Sequence, residues 1–105
     1  MAVKELSFEE VLELSSKSTK LVWLGNEPAD YISQLLDLPE GTLKEADPNS
    51  ILFADKNIAK EYKDAVFICH HGNTSLIIAN ALKERFDVDS YSMKGGVASV
   101  VGEIF

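Results

Sequence analysis

Leu21-Val22-Trp23-Leu24 and Ala65-Val66-Phe67-Ile68 are short continuous apolar runs. Such runs suit strands buried on both faces, and Lys20 and the breaker pair Gly25-Asn26 bound the first of them. Val88 to Met93 alternates Val88, Ser90 and Ser92 against Asp89, Tyr91 and Met93, which predicts a further strand. Elsewhere the spacing lengthens to a helical one. Phe8, Val11, Leu12 and Leu14 recur on one side while Glu9, Glu10 and Glu13 face water, and Ser7 with Glu10 has capping-box spacing, so a surface helix is predicted over Phe8 to Ser16. Pro28 to Leu36 reads as a helix with proline in its first turn, where a missing donor is harmless, and Pro39-Glu40-Gly41 ends that unit. Leu76 to Phe86, with Ala79 and Ala81 near its middle, has the composition of a well-formed helix. From Thr42 to Tyr62 the pattern supports one or two short helices, starting at Asp47-Pro48-Asn49-Ser50. Val97 to Phe105 reads as a short closing helix.

Strands alternating with helices imply an α/β fold, a mainly parallel sheet with helices on both faces. The 105 residues suffice for one hydrophobic core and not for two, so one domain spanning 1–105 is expected. Seventeen acidic against ten basic residues leave a net charge of −7, which repels a phosphate backbone and an anionic bilayer alike. No role on nucleic acid or on a membrane is expected. No apolar window approaches the roughly 18 residues of a membrane span, and the acidic start MAVKELSFEE does not resemble a signal peptide. With a single cysteine, Cys69, neither an internal disulfide nor a multi-thiolate zinc site can form. A reducing, cytoplasmic setting is expected.

In a parallel sheet the loops at the carboxyl ends of the strands gather on one edge, and ligands bind there. Cys69 falls on that edge, together with Gly25-Asn26 and Lys94-Gly95-Gly96. The segment Cys69-His70-His71-Gly72-Asn73-Thr74-Ser75 leads from a strand into a helix amino terminus, where free N–H groups and the helix dipole favour an anion. A thiol so placed is expected to ionise readily, to be reachable from outside, and to act as a nucleophile. Gly72 would let the backbone curl into an anion-binding nest. Against this stands the plainer role of cysteine as a small buried hydrophobe ending a core strand.

The run from Ala65 to Ser75, the following helix ending in Leu82-Lys83-Glu84-Arg85-Phe86, and Tyr91-Ser92-Met93-Lys94-Gly95-Gly96-Val97-Ala98 together resemble the catalytic half of a rhodanese domain. That family typically shows an apolar strand, a Cys-x-x-Gly-x-Arg/Thr-Ser loop, a helix, and a strand ending in Gly-Gly. The resemblance covers roughly residues 65 to 98 and implies a single rhodanese-type domain with sulfurtransferase activity. Cys69 would be the persulfide-forming nucleophile, His70 to Thr74 would supply the amides that cradle its sulfur, and Ser75 would begin the helix. The implied partners are a small sulfur donor, such as thiosulfate or a persulfide, and a thiophilic acceptor, small or protein. A catalytically idle module binding a protein or an anion through the same pocket is the alternative.

The chain departs from that pattern in places. Many relatives carry arginine directly after the cysteine or at the loop's fifth following position, where this sequence has His70 and Thr74, so cationic help toward a dianionic donor is reduced. The Asp-x-Arg signature and the Gly-His-Ile-x-Gly-Ala segment of relatives have no clear counterpart near Trp23-Leu24-Gly25 or Leu38 to Leu43. His70 and His71 are read either as charge stabilisers beside the sulfur or as solvent-facing loop residues. Consecutive residues rarely converge on one ion, so no metal site is expected from Cys69, His70 and His71, and no cofactor is implied. Lys94 and Gly95 are candidate accessory residues: Lys94 as an added positive charge or a solvated turn lysine, and Gly95 with Gly96 as a turn of positive φ or close approach to the cysteine loop. Trp23 reads as a core anchor. Phosphatase chemistry needs an arginine six residues after the cysteine, and Ser75 stands there. The single arginine, Arg85, is ten residues further on, on the order of 15 Å at ~1.5 Å per residue.

Overall fold

The apolar runs at 21–24 and 65–68 become inner strands. In the computed structural model, which describes residues 3–17 and 19–102, the chain forms β1 (Lys4–Leu6), α1 (Phe8–Ser15), β2 (Leu21–Trp23), α2 (Ala29–Leu35) and β3 (Leu43–Glu45). It continues with α3 (Pro48–Leu52), α4 (Lys56–Lys60), β4 (Val66–Ile68), α5 (Asn73–Phe86), β5 (Tyr91–Met93) and α6 (Ala98–Val101). The five strands form one sheet in the order β1-β5-β4-β2-β3, parallel throughout. Central β4 pairs Val66, Phe67 and Ile68 with Leu21, Val22 and Trp23 on one side, and Phe67 with Ser92 on the other.

The period-two alternation of strands divides the core into two layers. Leu21, Trp23, Val66, Ile68 and Met93 pack with Val11 of α1, Ile32 of α2 and Val97. On the opposite face Val22, Phe67 and Cys69 pack with Ile51 of α3, Ala59 of α4, and Ile78 and Leu82 of α5. Cys69 therefore lies on the α5 side by strand parity, two residues beyond Phe67. Local chemistry fixes the helix ends. The Ser7–Glu10 capping box opens α1, with Ser7 Oγ accepting from Glu10 N at 3.2 Å and Glu10 Oε1 accepting from Ser7 N at 3.1 Å. Asp47 and Asp55 cap α3 and α4.

Several elements differ from the sequence expectation. The 42–62 stretch holds two short helices, and also the edge strand β3, which the pattern did not predict; β1 was likewise missed. Each edge strand buries a single residue, Leu6 or Leu43, so neither carries a readable period. The last strand is shorter than Val88 to Met93: it begins at Tyr91, because α5 ends in a left-handed turn at Asp87 and Val88 N still bonds back to Leu82 O. Pro28 is the N-cap of α2 and precedes its first turn. α5 begins at Asn73, so Ser75 is the third residue of the helix and does not start it; Gly72, at φ +90°, makes the turn into it. Gly102, at φ +86°, follows the last residue of α6, and the rest of the expected closing helix, 103–105, lies outside the described residues.

Phe67 is wholly buried at the middle of the central strand. Phe67→Ala is expected to cost roughly 3–5 kcal/mol of folding stability, read from urea unfolding; a loss below about 1 kcal/mol would contradict close packing between β4 and α5.

Candidate active site

The central strand β4 delivers Cys69 to the sheet's carboxyl edge, and the chain then turns back over the sulfur. Gly72 N and Ser75 N donate to Sγ at 3.1 and 3.3 Å, and Ser75 Oγ lies 3.4 Å from it. Both amides belong to the mouth of the 14-residue α5, so the positive end of its dipole is directed at the sulfur. The left-handed Gly72 makes this convergence possible, because an L side chain rarely adopts that backbone conformation. The geometry suits a sulfur that carries negative charge, since charged acceptors make the stronger hydrogen bonds.

Cys69 is 4% exposed and belongs to the apolar cluster on the α5 face. This corrects the expectation of an open thiol: the sulfur lies at the bottom of its loop, while His71, Asn73 and Thr74 stand exposed above. The two readings of the cysteine are combined, since it ends a core strand and also accepts a ring of donors.

The glycine turn after β5 holds the loop from the other side. Val97 N donates to Cys69 O at 3.0 Å and Ala98 N to His70 O at 2.9 Å. A Cβ on Gly96, whose φ is +63°, would stand 2.4 Å from Cys69 O, and one on Gly72 would stand 2.9 Å from Gly95 N. The close approach expected of Gly95-Gly96 is thus present. Lys94 is placed elsewhere. It is exposed, its N–H bonds to Leu6 O, and it lines a groove with Ser7, Phe8, Glu9, Gly95, Ser99 and Val100 that includes no residue of the 69–75 loop.

His70 is only half-buried but held. Its Nε2 lies 2.8 Å from Glu27 Oε1, and its ring meets Trp23 edge-on with centroids 5.1 Å apart. Trp23 is fully buried, as expected of an anchor, and donates Nε1–H to Glu27 O at 2.8 Å, so one residue of the β2–α2 loop ties both rings. Desolvation raises the Glu27 carboxyl pKa, but the His70 hydrogen bond, the N–H groups of Glu27 and Asn26, and attraction to His70 together hold it below its ordinary value. The His71 ring lies 6.5 Å from that of His70. Among the described residues no cluster of three or more His, Cys, Asp or Glu is arranged to hold a metal ion.

Sequence reasoning missed Glu27 and Ser92. Nothing in the pattern marks Glu27, an acid in a turn 43 positions from its histidine. Ser92 had a faint signal: a small polar residue inside a strand otherwise flanked by core positions. Its Oγ lies 2.6 Å from Ser75 Oγ, and both residues are completely buried.

Two outcomes follow from this geometry. Gly96→Ala forces a methyl against two loop carbonyls and fixes an unfavourable backbone conformation, so it is expected to lose about 1–3 kcal/mol of stability and to slow Cys69 alkylation; an unchanged alkylation rate would show the glycine turn does not shape the loop. Because the Glu27 carboxyl is lowered on folding, its pairing stabilises the protein above the ordinary value of 4.5 and is lost as pH falls through the folded value. The melting-temperature gap between wild type and Glu27→Gln should therefore be present at neutral pH and close in acid, whereas a constant gap from pH 7 to pH 3 would contradict it.

No protein-family model matches the chain, and no curated protein matches it. Solved structures do. The crystal structure of a rhodanese-related protein from Thermoplasma volcanium aligns at TM-score 0.65 with 19% identity, over 97% of this chain and 94% of that one. A protein of Staphylococcus saprophyticus subsp. saprophyticus aligns at TM-score 0.64 with 15% identity, over 97% of each chain. At these identities the shared property is the fold: this chain has the same α/β fold as the rhodanese-related protein, a five-stranded parallel sheet with helices on both faces.

Proposed function

We propose that the protein is a sulfurtransferase or persulfide carrier working through Cys69. The observation that carries this reading is the pair of amides, Gly72 N and Ser75 N, donating to Sγ at the amino end of α5. The thiolate attacks the sulfane sulfur of thiosulfate or of a persulfide. One S–S bond forms to Cys69, the bond to the donor's remainder breaks, and sulfite or a thiolate leaves with the electron pair. A thiophilic acceptor then attacks the outer sulfur and the Cys69 thiolate departs. Electrons remain paired in both steps, so neither demands a redox cofactor. The loop amides preorganise the site for a negative sulfur without relying on a proton-transfer partner.

Burial of Cys69 restricts the donor to one whose terminal sulfur can reach down the loop. With His70 and Thr74 at the positions where relatives carry arginine, a dianion such as thiosulfate is the weaker donor and a persulfide the stronger. The partners are therefore a small sulfane donor and a thiophilic acceptor. The acidic balance of the chain argues against nucleic acid or a bilayer, and no helix among the described residues is long and apolar enough to cross a membrane. A thiolate that must be regenerated each cycle suits a reducing compartment such as the cytoplasm. The same burial, 4% exposure, favours a second reading, an idle rhodanese-like module that binds a partner through the pocket.

Intact-mass analysis after incubation with thiosulfate or a small persulfide separates the two. Wild type is expected to gain one sulfur atom, discharged by an added thiol or cyanide, and Cys69→Ser to gain none. Wild type that takes up sulfur from neither donor would leave the idle module as the better reading.

A further inference from the structure

We propose that Ser92 is a positioning residue that acts through the Ser75 hydroxyl to hold the Cys69 sulfur in its anionic, nucleophilic form. Ser92 sits on β5, the strand next to β4, and is wholly buried beside Phe67. Among the described residues Ser75 Oγ, 2.6 Å away, is its side-chain partner. Ser75 Oγ in turn lies 3.4 Å from Cys69 Sγ and 3.3 Å from Gly72 O.

Counting hydrogens fixes the direction of this chain. A serine hydroxyl has one hydrogen and two lone pairs. A buried Ser92 hydroxyl gives its hydrogen to the partner it has, Ser75 Oγ, since an ungiven donor in a dry interior is costly. Ser75 then has one hydrogen to give and two acceptors in reach. With a neutral thiol, S–H donates to Ser75 Oγ, which passes its own hydrogen to Gly72 O. With a thiolate, the Ser75 hydroxyl rotates and donates to Sγ, while Leu76 N, at 3.3 Å, still serves Gly72 O.

The two states use Ser92 differently. In the thiol state the Ser75 oxygen must accept from both Ser92 and S–H. In the thiolate state it accepts from Ser92 alone. The run from Ser92 O–H to Ser75 O–H, which in the thiol state ends on the neutral Gly72 carbonyl, then ends on the charged sulfur, where each bond polarises the next more strongly. Ser92 therefore favours the ionised sulfur without touching it. It adds a neutral, desolvated donor chain to the amides of Gly72 and Ser75, in a loop that holds no arginine.

The proposal shares with the proposed function the claim that Cys69 is the nucleophile, but alkylation reads it without any sulfur donor. Cys69 is the single cysteine, so iodoacetamide labelling followed by intact mass reports this site alone. Ser92→Ala is expected to slow labelling at pH 7 by about three- to tenfold and to move the rate–pH profile toward higher pH. Adding Ser92→Ala to Ser75→Ala should have no further effect, because the relay is already broken. Should Ser92→Ala fail to fold in a thermal melt, Ser92→Thr and Ser92→Val make the comparison at one shape, the former keeping the fast profile and the latter losing it. A folded Ser92→Ala or Ser92→Val with the wild-type profile would overturn the relay, as would an equal effect in the Ser75→Ala background. Sulfur uptake measured in parallel keeps the claims apart. Wild type that labels in a Ser92-dependent way yet never takes up sulfur defeats the sulfurtransferase reading alone, and sulfur uptake with a Ser92-independent profile defeats the relay alone.

Discussion

The structure turns on two backbone N–H groups converging on one sulfur atom at the end of the central strand. Gly72 N and Ser75 N reach Sγ because Gly72 adopts a left-handed conformation and starts α5 directly over Cys69. That position depends on the strand order. With β4 in the middle, the loop that follows it is flanked by the ends of β2 and β5, and each neighbour contributes a support. The β5 side brings the glycine turn, whose following residues bond the carbonyls of Cys69 and His70. The β2 side brings Glu27 and Trp23 against His70.

Placing negative charge on a buried sulfur would ordinarily be disfavoured, since the atom has surrendered its water. Fixed dipoles take the place of solvent here, and they need no reorganisation when charge appears. The cysteine thus belongs to the apolar cluster that includes Phe67, Ile78 and Leu82 and yet has the amides of Gly72 and Ser75 directed at its sulfur. Packing holds the helix, and the helix holds the amides. Serine hydroxyls at 75 and 92 extend the same principle inward, placing polar groups in the core where strand and helix meet.

Much of this was legible in the residues. Continuous apolar runs marked β2 and β4, the Ser7–Glu10 pair marked the start of α1, and Cys69 through Ser75 marked the loop that leads from a strand into a helix, the candidate site. The edge strands were not legible, because a three-residue strand with one buried side chain has no period to read. The start of α5 was placed late because Asn73 and Thr74 are polar and look like loop, while the glycine before them sets the helix in motion.

By itself the sequence determined the α/β alternation, the lone cysteine and the glycines without which the loop could not close, because these are properties of local conformation and composition. Tertiary structure decided which groups meet. Glu27 finds His70 across 43 positions and Ser92 finds Ser75 across 17, through strand order and register that no local pattern encodes. It also decided that the sulfur is deep: parity turned Cys69 toward α5, and packing of that helix closed over it.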